Sequence, residues 1–268
     1  MNAVSDVVAN RPAPLRMFDQ IYMRSADMLI QAEHISRWLS GKRVVFIGDG
    51  DALALTVVHL KGTGSLKGGP ESVHVLDFDE RVVNSVRRFA ERYGYTKTVT
   101  SELYNVAEGL PPHLIGGFDA FYTNPPYGGS NGGNSVKSFI RRGLEATSKP
   151  GALGCTVLAD APEYHWTTLV LREVQTYVLG KGQLIREMIP KFHKYHLDDT
   201  PELTSCSLVT EQVESMKDEE SQNLNRAELA DFYGKDNPLK VRYVRDLTNG
   251  GKFASKDFEC EAFRDGEL

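Results

Sequence analysis

The sequence predicts an α/β fold in which a parallel β-sheet carries helices on both of its faces. Short apolar runs typical of buried strands alternate with amphipathic helical segments along most of the chain. Strands and helices that alternate at this spacing favour parallel pairing, in which each helix packs back onto the sheet. The predicted strands span residues 43–48, 72–77, 97–100, 118–123 and 154–158.

Helices are predicted between these strands and before the first one. In the segment 80–93, Val83, Val86, Phe89 and Ala90 share one face, which is the pattern of a half-buried helix. Residues 15–39 predict one or two short helices, and the first 13 residues are expected to form a mobile lead-in. The other predicted helices span residues 52–60, 137–147 and 167–179.

These elements divide the chain into three predicted parts. Residues 1–40 form a lead-in with short helices, and residues 41–213 form a Rossmann-like catalytic domain of the class I methyltransferase type. Residues 214–268 form an acidic linker and an irregular C-terminal extension with one strand near 240–244. Within 213–236 the composition favours a linker, an exposed helix, or a segment that orders on binding.

The composition excludes several classes of protein. Among 268 residues, 36 are acidic and 31 basic, so the net charge of −5 favours small cationic partners over nucleic acid. Three scattered cysteines without a CxxC pair indicate neither a disulfide framework nor a zinc site, and we expect no metal. With no signal peptide at the N-terminus and no apolar run of roughly 20 residues, we expect a cytoplasmic protein without membrane contact.

The first motif with chemical content is Gly48-Asp49-Gly50-Asp51, at the end of the first strand. Glycines there let the backbone approach a ligand closely, and the next helix presents its amide groups. Two carboxylates repel phosphate but suit a cationic group such as a sulfonium with an ammonium tail and no carboxylate. Either aspartate is also a good helix cap, which is the alternative interpretation.

The next two strands also end in polar residues. Asp77 follows the second strand, where an acidic residue commonly accepts hydrogen bonds from ribose hydroxyls, and Phe78 is placed to lie against adenine. Asp79 either contacts the ligand or caps the helix that begins at Glu80. Asn105 has an amide that suits the edge of adenine, or it forms a turn.

The most specific motif is Asn124-Pro125-Pro126-Tyr127, directly after an apolar strand. Two prolines fix the backbone and leave carbonyl oxygens that, with the Asn124 side chain, accept hydrogen bonds from an amine being alkylated. Tyr127 suits a cationic or planar substrate, whereas a plain proline turn is the alternative. The glycine-rich segment 128–134 after it predicts a mobile lid or a disordered connector.

Taken together, the motifs resemble the branched-chain polyamine synthase family, whose members are aminopropyltransferases also called N4-bis(aminopropyl)spermidine synthases. The resemblance covers about residues 17–211 and includes Phe18-Asp19-Gln20 and the segment 139–144 besides the loops above. It implies decarboxylated S-adenosylmethionine as donor, a polyamine such as spermidine as acceptor, 5′-methylthioadenosine as product, and a homodimer. Asn105 stands where the family commonly has aspartate against adenine.

The candidate site follows from the motifs and from this resemblance. The catalytic candidates are Asp51, Asp49, Asn124 and Tyr127. The candidates for binding the donor are Gly48, Gly50, Asp77, Phe78, Asp79, Asn105 and Pro125. The candidates for binding the acceptor are Pro126, Asp198, Asp199 and Glu202, of which the last three alternatively belong to a solvated surface loop.

Two other functions stay open at this point. An Asn-Pro-Pro-Tyr motif after the fourth strand is also typical of enzymes that use S-adenosylmethionine to methylate exocyclic amines of adenine or side-chain amides. The acidic loop at 48–51, the net negative charge and the absence of a basic stripe argue against that alternative. A non-catalytic module that binds an adenosyl ligand is the third interpretation.

Overall fold

The computed structural model describes residues 2–195, 197, 199–215, 221–248, 257–264 and 266. Its main sheet has seven strands in the order β3-β2-β1-β4-β5-β7-β6, and a separate two-stranded sheet pairs β8 with β9. The strands are β1 (Arg43–Ile47), β2 (Ser72–Asp77), β3 (Val99–Leu103), β4 (Ala120–Thr123), β5 (Leu153–Ala159), β6 (Gln183–Lys194), β7 (Thr204–Gln212), β8 (Val241–Asp246) and β9 (Phe258–Ala262).

Helices pack on the main sheet and connect its strands. The α-helices are α1 (Asn2–Asn10), α2 (Ser25–Trp38), α3 (Leu53–Gly62), α4 (Glu80–Tyr93), α5 (Asn134–Thr147), α6 (His165–Gly180) and α7 (Arg226–Leu229). Short 3-10 turns occupy Arg16–Phe18 and Pro112–Leu114. The four helices predicted after the strands are confirmed as α3, α4, α5 and α6, because each has the apolar face or, in α3, the largely apolar and buried sequence that a sheet-packed helix needs.

The parallel sheet predicted from the first five strands is confirmed, and the structure adds two antiparallel strands, β6 and β7. Strands β1 to β5 pair in parallel, so their carboxyl ends meet at one edge of the sheet. Strand β7 runs antiparallel to both β5 and β6. The connection 195–203 is shorter than the dozen or so residues that a parallel crossover requires, so β6 and β7 return directly on each other. The order and directions of the strands match the class I methyltransferase type.

Residues 2–13 are not a mobile lead-in, because residues 2–10 form α1. Val4 and Val7 of α1 are buried in the core beneath α3, and the Asn10 side-chain amide donates to the Ser85 carbonyl at 2.8 Å. The two valines are three residues apart and therefore share a face of the helix. The small, polar residues around them conceal that pattern from a reading of composition alone.

Residues 224–239 are not an exposed linker either. Leu224, Leu229, Phe232, Tyr233 and Leu239 are buried against the same face of the sheet as α5. The Val244 amide of β8 then donates to the Phe78 carbonyl at 3.0 Å, so the strand predicted near 240–244 is confirmed and tied to the loop after β2. The segment is held by a few large apolar side chains, although most of its residues are polar.

Within the ranges given above, no helix combines the length and the apolar character that a bilayer crossing requires. No three His, Cys, Asp or Glu side chains of those residues come together in an arrangement that would hold a metal ion.

The packing of Gly143 in the core predicts the effect of a substitution on stability. A Cβ added at Gly143 of α5 would overlap the ring of Phe121, whereas a Cβ at Gly180, at the end of α6, would meet open space. Alanine is favoured over glycine in helices by about 1 kcal/mol. We therefore expect G143A to destabilise the protein by about 1–3 kcal/mol through overpacking, and G180A to leave it unchanged or slightly more stable.

Urea unfolding followed by circular dichroism measures both free energies of unfolding. G180A is the matched control because it changes the same residue type in the same kind of element. Equal effects of the two substitutions would contradict the packing described for α5.

Candidate active site

A cleft of about 870 Å³, counting its open mouth, lies at the edge where the parallel strands end. Ligands of open parallel sheets bind at this edge. The cleft brings together the loops after β1, β2, β3 and β4, as the sequence predicts. The predicted site residues that line it are Gly48, Asp49, Gly50, Asp51, Asp77, Phe78, Asn105, Asn124, Pro125, Pro126 and Tyr127.

The loop after β1 depends on its glycines. Gly48 has φ +71°, in the left-handed region, and a Cβ there would lie 3.0 Å from the Phe139 ring. A Cβ at Gly50 would lie 3.0 Å from the ring of Tyr22. Both glycines therefore let aromatic side chains approach the main chain at the floor of the cleft.

Asp49 acts as the cap of α3. Its two carboxylate oxygens accept the amides of Leu53 at 2.8 Å and Ala54 at 3.0 Å. Burial raises the pKa of Asp49 well above its ordinary value, and these hydrogen bonds oppose the rise. The Asp49 side chain thus contacts the start of α3, as the capping alternative predicts. Asp49 also lines the cleft.

Asp51 is held by groups from three separate parts of the chain. Its Oδ1 accepts the Met23 amide at 2.8 Å, and its Oδ2 accepts the Asn124 side-chain amide at 2.7 Å. The Arg11 guanidinium lies 3.9 Å from Oδ1 and donates to the Asp51 carbonyl at 3.2 Å. Burial raises the pKa of Asp51, while Arg11 and the two hydrogen bonds lower it.

Arg11 is itself fixed in place. Its guanidinium stacks 4.4 Å from the centroid of the Tyr22 ring, and its side chain is 10% exposed. The residue follows α1, so the helix that sequence analysis takes for a mobile lead-in delivers a cation to the buried Asp51. A reading of composition does not find this role.

Asp77 accepts backbone amides with both carboxylate oxygens, from Asp49 at 3.0 Å and from Asp79 at 2.9 Å. Burial, followed by the charge of Asp79, raises its pKa to about 7. Because a carboxylate oxygen has two lone pairs, each oxygen keeps one for a ligand in the cleft. The carboxylate therefore suits a pair of neighbouring hydroxyl groups.

Two predicted donor-binding residues have other partners. Asp79 lies outside the lining of the cleft, caps α4 and pairs with Arg81 at 2.6 Å, so the capping alternative is correct for it. Asn105 lines the cleft, but its amide nitrogen donates to the carbonyls of Val241 and Arg242. Its oxygen accepts the Ala107 amide at 2.9 Å, so both amide hydrogens are used and one lone pair of that oxygen is left for an adenine edge.

The Asn124-Pro125-Pro126-Tyr127 segment forms one wall of the cleft rather than a plain surface turn. Before it, the Thr123 hydroxyl donates to the Ile47 carbonyl at 2.7 Å, which locks β4 against the end of β1. The ring of Tyr127 is buried and packs edge-on against Tyr195, with centroids 6.0 Å apart. Its main-chain amide donates to the carboxylate of Asp19.

An aromatic group forms another wall. The rings of Phe78 and Tyr233 are nearly parallel, with centroids 6.3 Å apart, and Phe18 meets both edge-on at 5.2 and 5.4 Å. These rings suit the flat face of a purine. Tyr233 lies more than 150 residues from Phe78 in a polar stretch, so no local signal marks it.

The glycine-rich loop after Tyr127 forms hydrogen-bonded turns rather than a disordered connector, and its movement as a lid stays a prediction. The Gly128 carbonyl accepts the amides of Asn131 and Gly133, and the Asn131 side chain donates to the Ser135 hydroxyl at 2.9 Å and to the Ala230 carbonyl. The Ser135 hydroxyl in turn donates to the Phe232 carbonyl at 2.6 Å. The loop thereby fixes the segment that carries Tyr233.

The acidic candidates for the acceptor do not line the cleft. Asp199 is 71% exposed and pairs with Arg16 at 3.6 Å, and Glu202 is exposed, as the surface-loop alternative predicts. Asp198 lies outside the described residues. The structure adds lining residues that sequence analysis leaves without a role, namely Phe18, Asp19, Gln20, Ile21, Tyr22, Tyr104, Val106, Phe139 and Tyr233.

Comparison with known proteins agrees with this geometry. Residues 1–232 match the family model of the branched-chain polyamine synthase A C-terminal domain. The chain belongs to this family. An N(4)-bis(aminopropyl)spermidine synthase of Thermococcus kodakarensis is 26% identical over 71% of the chain and 51% of the relative, and that of Thermus thermophilus is 29% identical over 69% and 50%. The chain therefore spans about half the length of these two relatives.

Solved structures give the same result for the fold. The branched-chain polyamine synthase of Thermus thermophilus, in complex with N4-aminopropylspermidine and 5′-methylthioadenosine, superposes with a TM-score of 0.68 at 25% identity, over 84% of this chain and 67% of that one. Its C9 mutein with the same two ligands gives a TM-score of 0.71 at 24% identity, over 87% and 70%. The fold predicted from the sequence is confirmed.

The contact between Arg11 and Asp51 predicts a pH-dependent loss of stability in R11M. An acid whose pKa burial raises contributes stability that is complete below its unfolded pKa and lost as the pH rises through its folded pKa. Removing Arg11 raises the folded pKa of Asp51 further. We therefore expect R11M to destabilise the protein by about 1–3 kcal/mol more at pH 8 than at pH 5.

Urea unfolding at the two pH values measures this difference. R43M is the control, since Arg43 pairs with Asp119 on the surface, where the pKa of Asp119 is lowered and does not titrate in that range. A loss in R11M that is the same at pH 5 and pH 8 would show that Arg11 contributes only packing.

Proposed function

We propose that the protein transfers the aminopropyl group of decarboxylated S-adenosylmethionine to an amine nitrogen of a polyamine such as spermidine. The products are a branched polyamine and 5′-methylthioadenosine. Membership of the branched-chain polyamine synthase family supports this proposal, as do the two product molecules bound to the related synthase of Thermus thermophilus. The homodimer, the cytoplasmic location and the lack of nucleic-acid partners remain predictions.

The observation that carries the proposal is the charge of the cleft. Four aspartates line it, Asp19, Asp49, Asp51 and Asp77, and its described lining contains no Lys, Arg or His. Intact S-adenosylmethionine would bring a carboxylate into this acidic space. The decarboxylated donor offers a sulfonium and an ammonium group instead, which the aspartates attract.

The donor's nucleoside is assigned to the walls that match its chemistry. Asp77 accepts hydrogen bonds from the ribose hydroxyls with its two remaining lone pairs, and the rings of Phe78 and Tyr233 lie against the adenine. Gly48 and Gly50 have no side chain that would fill the floor of the cleft, and Pro125 borders the donor. Asn105 shapes this wall through its backbone contacts, which use both of its amide hydrogens.

The reaction is a nucleophilic displacement. The neutral amine attacks the methylene carbon beside the sulfonium, a carbon–nitrogen bond forms, and the carbon–sulfur bond breaks with its electron pair going to sulfur. Asp51 takes the proton that the nitrogen loses, because its carboxylate is fixed in the cleft and not committed to a helix cap as that of Asp49 is. Asn124, the carbonyl of Pro126 and the ring of Tyr127 orient the amine.

Calorimetric titration of the wild-type protein with both forms of the donor tests the function. We expect the decarboxylated donor to bind more tightly than S-adenosylmethionine, because the extra carboxylate meets the aspartates of the cleft. In D51N, 5′-methylthioadenosine should still bind, whereas turnover with spermidine should fall by about 10²–10⁴-fold through loss of the proton acceptor.

D119N is the matched control, because Asp119 pairs with Arg43 outside the cleft and should leave both binding and turnover unchanged. Intact S-adenosylmethionine binding as tightly as the decarboxylated form would overturn aminopropyl transfer. That result would favour the alternative, in which S-adenosylmethionine methylates an amine.

The pKa of Asp77, raised to about 7, predicts how the affinity for 5′-methylthioadenosine depends on pH. This ligand has no group that titrates near neutrality, and the ribose hydroxyls require the ionised carboxylate as acceptor. The affinity should therefore increase about tenfold between pH 6 and pH 8, in proportion to the ionised fraction of Asp77.

Calorimetry in two buffers of different ionisation enthalpy checks this prediction, because binding at pH 6 must release a proton from Asp77. An affinity that stays flat over this range, with no proton release, would remove Asp77 from the ribose site.

A further inference from the structure

Asp19 differs from the other three aspartates of the cleft in the number of hydrogen bonds that its carboxylate accepts. Asp49 and Asp77 each accept two backbone amides, and Asp51 accepts an amide and a side-chain amide beside Arg11. Among the residues that the structure describes, the Asp19 carboxylate accepts one hydrogen bond, from the Tyr127 amide. Its carboxylate therefore accepts fewer hydrogen bonds from the described residues than that of any of the other three aspartates.

The cation whose charge acts on the Asp19 carboxylate is Arg16, which lowers the pKa of Asp19. Arg16 lies on the same turn, but its side chain is 51% exposed and it pairs with Asp199 at 3.6 Å. Tyr233 also lines the cleft, and its pKa is raised by burial and by the charges of Asp77 and Asp19. The described groups that lower the pKa of Asp19 are thus one backbone donor and one half-exposed charge.

The backbone conformation that places Asp19 at the cleft is an unfavourable one for a residue other than glycine. Its φ of 56° lies in the left-handed region, where the residue ends the Arg16–Phe18 turn and donates its amide to the Arg16 carbonyl at 3.1 Å. A partly buried carboxylate with one hydrogen bond is costly unless a cation joins it. Burial is indeed the main reason that its pKa is raised to about 6.

We infer that Asp19 binds a primary ammonium group of the substrates, at the wall of the cleft between Tyr127 and Tyr233. This inference rests on the proposed function and adds a residue to it. Asp51 takes the proton of the reacting nitrogen, whereas Asp19 holds a nitrogen that stays protonated and does not react. That separation gives one carboxylate to each of the two kinds of amine in the reaction.

Two ammonium groups share this chemistry, namely the end of the donor's aminopropyl chain and a terminal amine of the acceptor. Titrations of the wild-type protein and D19N with three ligands distinguish them. 5′-Methylthioadenosine has no ammonium group, the decarboxylated donor has one on its aminopropyl chain, and spermidine is titrated alone and with 5′-methylthioadenosine present.

Asparagine suits position 19, because it tolerates the left-handed conformation and keeps an oxygen for the Tyr127 amide. D19N should bind 5′-methylthioadenosine as the wild type does. Its affinity for either the decarboxylated donor or spermidine should fall about ten- to hundredfold, the amount expected for one charge-assisted hydrogen bond. The ligand that loses affinity identifies which ammonium group Asp19 holds, and D119N is the control for loss of a carboxylate elsewhere.

A second readout separates binding from structural support. Near pH 6, an ammonium group that pairs with Asp19 displaces its proton, so wild-type protein should release more protons on binding the affected ligand than D19N does. Equal losses for all three ligands, with no change in proton release, would show that Asp19 only supports the Tyr127 segment and would overturn the inference.

The remaining outcomes are also decisive. If 5′-methylthioadenosine binds and D19N leaves both ammonium ligands unchanged, the inference about Asp19 is wrong and the proposed function stands. If the wild-type protein binds none of the three ligands, both are overturned.

Discussion

The carboxylate of Asp51 is the contact on which the geometry of the cleft depends. It joins the loop after β1 to the Met23 amide before α2, to the Asn124 side chain after β4, and to Arg11 after α1. No single strand or helix positions all of these groups. Because one buried carboxylate accepts hydrogen bonds from separate parts of the chain, it holds the loops it links in one arrangement. Arg11 and these hydrogen bonds oppose the rise in the pKa of Asp51 that burial causes.

The aspartates that the site uses are unfavourable for the stability of the fold, because they are buried. Burial raises the pKa values of Asp19, Asp49, Asp51 and Asp77, which means that each ionised form is less favourable here than in water. Backbone amides oppose this penalty for Asp49 and Asp77, and Arg11 opposes it for Asp51. In the proposed function, a cationic donor and acceptor supply the remaining positive charge, so substrate binding and relief of the acidic cleft are one process.

The sequence predicts the parts of this site that short segments determine. Apolar runs followed by glycine, aspartate or Asn-Pro-Pro-Tyr locate the ends of β1, β2 and β4, because strand period and turn chemistry are local properties. Whether a polar side chain faces a ligand or the backbone is not local. Asp49 and Asp51 lie two residues apart and are both catalytic candidates in the sequence, yet Asp49 accepts the first amides of α3, whereas Asp51 accepts the Met23 amide and the Asn124 side chain. Tyr233 and Arg11 enter the site from segments whose composition is that of linkers.

The two ends of the cleft differ in chemistry, and this difference explains why so many separate segments are needed to build it. Phe78 and Tyr233 offer flat apolar faces, while Asp51 and Asp19 offer charge at the Asn124–Tyr127 wall. A donor with a planar purine at one end and cationic sulfur and nitrogen at the other matches that polarity. Asn131 and Ser135 donate hydrogen bonds to the segment that carries Tyr233, so side-chain hydrogen bonds hold the apolar end as they hold the acidic one. A flexible aromatic wall would let the sulfonium drift from the amine, whereas a fixed one holds the reacting atoms in line.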